Sequence, residues 1–256
     1  MFRTVQVTRY VVPLREGGSL PAVVEADDDG LYVLKFRGAG QGARALVAEW
    51  VSGEIARALG LPVPEIVFAR LDAELARTEA DPEIQDLIRA SDGLNLAMDY
   101  LPGALAFDPA AEAPDAALAS RIVWFDCFVR NVDRTARNTN LMIWHRKLWL
   151  IDHGASLYFH HGWDGQAERA GDPFPMVREH VLLPWASRLE QADAECSTQL
   201  SPEIIAGIVA AVPDLWLEGP DAFAGPSRQR EAYVGYLCRR LQDHAAFTRE
   251  AIDARR

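Results

Sequence analysis

The chain has 256 residues, 49% of them hydrophobic and 25% charged, a balance that excludes a disordered or fibrous protein and gives length for one large domain or two lobes. A formal charge of −11 and a pI near 5.0 argue against a general nucleic-acid binder, because the molecule as a whole repels a phosphate backbone and leaves room only for a local basic pocket. Three distant cysteines (Cys127, Cys196, Cys238) with no CxxC pair speak against a disulfide framework or zinc site and fit a reducing compartment.

No run of eighteen apolar residues occurs, and the first residues carry no signal-like apolar stretch. The expectation is therefore a cytoplasmic protein without a membrane span. AVVEA (22–26) and LYVLKF (31–36) predict two strands joined at DDDG, whose Asp-Gly favours a hairpin. On the second strand Leu31, Val33 and Lys35 share one face and Tyr32, Leu34 and Phe36 the other. A lysine there either snorkels at the strand end or has a chemical task. RGAGQGAR leads into a helix over Ala43–Leu59, stopped by Gly60. LPVPEIVFARL (61–71) predicts a strand, PEIQDLIRA a short helix, and LNLAMDYL (94–101) a strand ended by Pro102-Gly103.

The alanine- and proline-rich FDPAAEAPDAA (107–117) marks a change of composition, which divides the chain into lobes at 1–106 and 107–256. Asp115 is placed to cap the next helix, whose apolar residues Leu118, Ile122, Phe125 and Val129 recur at helical spacing. Asp126 lies one step off that stripe, either bracing the loop after the helix or facing water. LMIW (141–144) and KLWLI (147–151) predict a tight hairpin around His145-Arg146. The remainder reads as helical: Ser201-Pro202 caps and starts one helix, and residues 228–252 form one long amphipathic run.

NVDRTARNTN (131–140) comes directly after the central helix, and IDHG (151–154) after the hairpin. Asn and Asp favour turns for local reasons, so a turn is the simplest explanation of this stretch. Its spacing also suits phosphoryl transfer, which needs a carboxylate for the nucleophile's proton, oxygen ligands for a metal, and a lysine on the phosphates. Asp133 and Asn138 stand five residues apart, the base-to-metal spacing of a kinase loop, and Asp152 comes after the hairpin. Lys35 lies on an upstream strand, and Glu49 on the next helix can pair with it, with Glu54 as the competing partner.

Taken in order, YVLKF, AEWVSGEIARALGLPVPE, FDCFVRNVDRTARN and LWLIDHGASL resemble the HipA-like kinase family over roughly residues 15–165. The resemblance implies a two-lobed, protein-kinase-like α+β fold, with an N-terminal antiparallel sheet lobe and a mainly helical C-terminal lobe. It further implies that Lys35 contacts ATP phosphates and Glu49 braces it, that Asp133 is the catalytic base, and that Asn138 and Asp152 bind magnesium. Met98, Asp99, Tyr100 and Leu101 become the interlobe hinge that offers backbone groups to adenine, and Gly17, Gly18 and Ser19 the loop over the phosphates. The chain departs from relatives in several places: REGGSLP is not GxGxxG, Ala22 stands where some members have lysine, Thr135 where many have histidine, and IDHG replaces DFG.

Other patterns carry less. GAGQG precedes a helix as a dinucleotide fingerprint does, but Ala43 occupies the third glycine position. His153, His160, His161 and His180 match no metal-ligand spacing, and Trp124, Trp144, Trp149, Trp163 and Trp185 read as packing residues rather than a base-stacking platform. The expected function is an ATP- and Mg-dependent phosphotransferase acting on a hydroxyl of a protein Ser/Thr or a small molecule. The alternative is a nucleotide-binding pseudokinase, and neither nucleic acid nor membrane is an expected partner.

Overall fold

The computed structural model describes residues 2–14, 20–40, 42–218 and 223–256. Strand β1 (Thr4–Pro13) is followed by β2 (Ala22–Ala26), β3 (Leu31–Lys35), helix α1 (Ala43–Ala58), β4 (Ile66–Leu71), α2 (Pro82–Ala90) and β5 (Gly93–Asp99). These strands close a barrel in the order β1-β2-β3-β5-β4. Four of the pairings are antiparallel; the fifth, β1 with β4 over Thr4–Gln6 and Phe68–Arg70, is parallel. The antiparallel sheet expected from the sequence is thus corrected to a closed barrel, because β1, which the strand reading passed over, pairs on both sides.

Alternation along each strand decides what enters the barrel. Tyr32, Leu34, Val67, Ala69 and Ala97 point inward and join a core with Val5, Val7, Ala22, Val24 and Ala26, closed at one end by Ile84 and Ile88 of α2. The repeated alanines fit the narrow interior that five strands leave. Lys35, Ile66, Phe68, Leu96 and Met98 consequently point outward, and the apolar four join the second core built with α1 and the helical region.

Helix α1 ends where Gly60 adopts φ 68. The Gly60 N–H bonds to the Arg57 carbonyl (2.9 Å) and the Leu61 N–H to the Ala56 carbonyl (2.9 Å), the paired bonds of a Schellman stop. GAGQG lies in the turn before α1, and β4, the next strand, is separated from β3 by β5, so the strands flanking α1 are not the adjacent parallel pair of a dinucleotide fold.

The second half is helical apart from a small sheet of β6 (Leu105–Ala106), β7 (Leu141–Trp144) and β8 (Lys147–Leu150). His145 and Arg146 both have positive φ (49 and 61) and form the predicted two-residue hairpin. Helix α3 (Ala116–Val129) runs through the middle, its first turn capped by Asp115 on the N–H groups of Ala117 and Leu118 (3.0 and 2.9 Å). Against it pack α4 (Leu189–Gln199), α6 (Pro226–Gln242) and α7 (His244–Arg255), while α5 (Pro202–Ala210) packs on α6 and α1. The single amphipathic run expected over 228–252 is therefore two helices that meet at Asp243. Arg240 of α6 is buried and donates to the carbonyls of Phe128 (2.8 Å), Ala170 (2.8 Å) and Asp172 (3.0 Å). It thereby occupies the electronegative end of α3.

Trp50 joins the two regions. Its ring stacks on Phe68 of the barrel (centroids 4.6 Å), and its Nε1 donates to the Ile208 carbonyl of α5 at 3.0 Å. Trp50→Ala is expected to lower unfolding free energy by roughly 3–5 kcal/mol through lost burial and cavity formation. Trp50→Phe keeps a ring and removes one of the two bonds that the Ile208 carbonyl accepts, the other coming from the Ala211 N–H at 3.3 Å, at a cost of about 1 kcal/mol. Urea titration of both variants checks the ranking.

Candidate active site

Lys35 ends β3 on the outward face, opposite α1. Its Nζ donates to Glu49 Oε2 at 2.5 Å and to Asp152 Oδ1 at 2.7 Å. Glu54, the competing partner, pairs instead with Arg57 at 3.2 Å. Glu49 is fully buried. Burial alone would raise its pKa, but the Lys35 charge and hydrogen bonds from His153 reverse this and hold the carboxylate well below its ordinary range. For Lys35, burial opposes protonation, and the fields of Glu49 and Asp152 outweigh it, raising the pKa.

Glu49 also reaches the segment after β8. The backbone N–H of His153 donates to Glu49 Oε2 (2.9 Å), and His153 Nδ1 lies 3.3 Å from Oε1. An ionised carboxylate only accepts, so Nδ1 carries the ring proton. The ring packs edge-on against Phe125 (centroids 5.8 Å). Asp152 itself adopts φ 52, in the left-handed region that Asp tolerates better than most side chains. Its Oδ2 has no partner among the described residues.

The loop after α3 is built on Asp126. Arg130 takes a left-handed conformation (φ 55), and the Asn131 N–H returns to the Asp126 carbonyl at 2.9 Å. The Asp126 side chain is fully buried and accepts from Asn131 Nδ2 (2.9 Å), Arg134 Nε (2.6 Å) and His180 Nε2 (2.9 Å). The structure thus resolves the two alternatives for Asp126 in favour of a brace. Burial opposes its charge, yet Arg134 and His180 lower its pKa to about 2.

Asp133 stands between these anchors. Its N–H donates to Asn131 Oδ1 (3.0 Å), and its Oδ2 accepts from Asn138 Nδ2 (2.7 Å) and Asn140 Nδ2 (3.2 Å). Its Oδ1 has no partner among the described residues. The Asn140 carbonyl accepts from Arg134 Nη1 (2.5 Å) and from the Ile151 N–H (3.1 Å), which ties the loop to the approach of Asp152.

Met98 lies inside the sheet between Val33 and Ile66, and β5 stops at Asp99, so Tyr100 and Leu101 fall outside the strand predicted to contain them. The N–H groups of Asp99 and Tyr100 are taken by the carbonyls of Glu65 (2.8 Å) and Leu31 (2.9 Å). Leu101 is the first of the four whose N–H has no partner among the described residues. Gly17, Gly18 and Ser19 lie outside those residues.

The structure thus assembles Lys35, Glu49 and Asp152 into one contact group and Asp133 with Asn138 into another, bridged by Asn140 and Ile151. From sequence, Asn131 and Asn140 read only as loop support, His153 and His180 as structural histidines or a substrate-side rim, and Arg134 has no role. Asn140 lies seven positions beyond Asp133, a spacing with no periodic meaning, and Arg134, His153 and His180 act through contacts far apart in sequence. The four histidines do not converge on one site: His153 meets Glu49, His180 meets Asp126, and His160, whose Nδ1 meets the Tyr233 hydroxyl at 2.9 Å, lies edge-on to His161 (centroids 4.6 Å). No group of three or more His, Cys, Asp or Glu that could hold a metal occurs among the described residues. The unengaged oxygens of Asp133, Asn138 and Asp152 are hard donors. One or two such oxygens completed by phosphate and water suit magnesium better than a closed protein cage would.

A profile described as HipA-like kinase matches residues 7–247. Among solved structures, the proinflammatory kinase CtkA of Helicobacter pylori is similar with a TM-score of 0.58 and 11% identity, over 98% of each chain. A Golgi casein kinase is similar with a TM-score of 0.53 and 10% identity, over 100% of this chain and 75% of the other. At these identities the likeness is one of fold. No curated protein matches the chain.

Glu49 provides a test of the buried contact group. Its folded pKa lies below the ordinary 4.5, so its stabilisation is present above that pH and lost as pH falls. Glu49→Gln should cost roughly 3 kcal/mol near neutral pH, since it leaves a buried ammonium short of a partner. The difference from wild type should shrink as pH falls below about 4.5, read from urea midpoints across a pH series.

Proposed function

Because the chain belongs to the HipA-like kinase family, we propose that it transfers the γ-phosphate of ATP to a hydroxyl, with Asp133 as the base. The observation that carries this reading is the Asp133 carboxylate, whose Oδ2 is held by two amides while Oδ1 is left unengaged. An oxygen so presented can accept the proton of an incoming hydroxyl, while the amides fix its direction.

The other residues divide the remaining tasks between two lobes, 1–106 and 107–256. Lys35, kept protonated by Glu49 and Asp152, offers an ammonium to the nucleotide phosphates. Asn138 and Asp152 would hold magnesium through oxygen, and the ion would neutralise charge on the phosphates. Leu101 is the hinge residue with an N–H left for adenine, while Met98, Asp99 and Tyr100 shape the wall beside it. Gly17, Gly18 and Ser19 complete the nucleotide site in this reading.

The acceptor is a protein Ser/Thr or a small molecule. A membrane lipid fits less well, because a net charge of −11 opposes approach to an anionic membrane surface. Free cysteines at Cys127, Cys196 and Cys238 suit the cytoplasm.

Asp133→Asn should lower the rate of phosphate transfer by about 10²–10⁴-fold, the usual contribution of general base catalysis, and leave ATP binding in place. Asp152→Ala should abolish metal-dependent ATP binding. Radiolabelled transfer with magnesium, alongside nucleotide titration, checks both; equal transfer by wild type and Asp133→Asn would remove Asp133 from the role.

A further inference from the structure

We infer that His180 is a positioning residue for Asp133, acting through the buried carboxylate of Asp126; this rests on the role proposed for Asp133. His180 lies in the stretch that runs from the metal-binding loop to α4, far in sequence from both aspartates. Its ring is nearly enclosed, 6% exposed. Nδ1 accepts the Leu182 N–H at 3.0 Å, so the proton resides on Nε2, which donates to Asp126 Oδ2 at 2.9 Å. The imidazole therefore serves as a neutral donor, and the single negative charge of Asp126 is balanced by Arg134.

Two routes lead from Asp126 to Asp133. Asn131 bonds Asp126 with its amide and receives the Asp133 N–H on its carbonyl oxygen. Arg134 bonds Asp126 with Nε and holds the Asn140 carbonyl with Nη1, and the Asn140 amide bonds Asp133 Oδ2. His180 and Arg134 share one oxygen of Asp126, so the histidine fixes the rotation of the carboxylate that both routes depend on. A backbone link accompanies this: the Val181 N–H donates to the Arg134 carbonyl at 3.0 Å, and Thr135 pairs with His180 in an antiparallel bridge. The lowered pKa of Asp126 agrees with a carboxylate that stays ionised and accepting.

Lys35, Glu49 and the hinge lie outside this network. Loss of the His180 donor should consequently slow transfer without weakening nucleotide binding. Two substitutions separate donor from acceptor. His180→Gln keeps an N–H where Nε2 stands, whereas His180→Asn keeps an acceptor for Leu182 and cannot reach Asp126.

In the full chain with ATP and magnesium, His180→Asn should lower kcat about 10–100-fold, the usual penalty of a small misplacement, with KM for ATP changed less than about 2-fold. His180→Gln should recover most of the rate. Amide exchange at Asp133 and Thr135 should accelerate about tenfold in His180→Asn but not in His180→Gln, as a loss of local protection. Wild-type kcat and exchange in His180→Asn would overturn the inference. So would equal losses in both variants with a parallel rise in KM and fall in Tm, the mark of a merely structural contact. If the wild-type chain turns over no ATP, the role of Asp133 falls, and the exchange comparison alone decides whether His180 holds the loop.

Discussion

A carboxylate cut off from water is tolerable only when its charge is met, and Glu49 is met from two directions. Lys35 arrives from the barrel, and the backbone and ring of His153 arrive from the segment after the hairpin. Helix α1 therefore cannot rotate or slide without stranding three groups at once. The same contacts carry Asp152 to the lysine, so the position of one buried glutamate sets the relation between the barrel and the segment that holds Asp152. Aromatic packing around Trp50 and Phe68 supports this arrangement, but it is less directional than the charge contacts.

The second fixed point is α3. Its interior position leaves Asp126 nowhere to meet solvent, and the residue has become the hub of a hydrogen-bonded loop. At the same end, Arg240 fills the carbonyls of Phe128 and Cys127, which the helix itself cannot pair. The loop after α3 thus begins from a terminus whose polar groups are already committed. Asp133 inherits its direction from that rigidity, and the left-handed turns at Arg130 and Asn140 let the chain reverse twice within a short span.

Much of this was legible in the residues, and the exceptions are instructive. Period-two alternation put Lys35 opposite Tyr32 and Leu34, and the cap at Asp115, the stop at Gly60 and the His145-Arg146 turn rest on local chemistry alone. The choice of Glu49 over Glu54 was not local, because it depends on the rotation of α1 against the barrel. Asp126 was ambiguous for a related reason: an apolar stripe predicts one buried face, whereas α3 is enclosed on nearly every side. The parallel contact of β1 with β4 joins segments about sixty residues apart, and strand patterns do not encode pairing at such a distance. The break at Asp243 is hidden because amphipathic spacing continues across it. Asp133 and Asn138 stood out by spacing, while His180 entered only through the folded path of the chain.

The closed barrel has a mechanical consequence. Each of its strands has a neighbour on either side, and β3 and β5 are paired along both edges, so neither can shear past its neighbour without opening two ladders together. Leu31–Lys35 and Gly93–Asp99 are adjacent staves of this hoop. The backbone of Lys35 therefore moves with β2 and β5 as one unit and cannot shift alone against the helical region. The hoop is not closed along its whole height: among the described residues the ladder between β1 and β4 ends at Gln6 and Arg70, so any extension of this sheet by a foreign strand is confined to the part of β1 beyond that point.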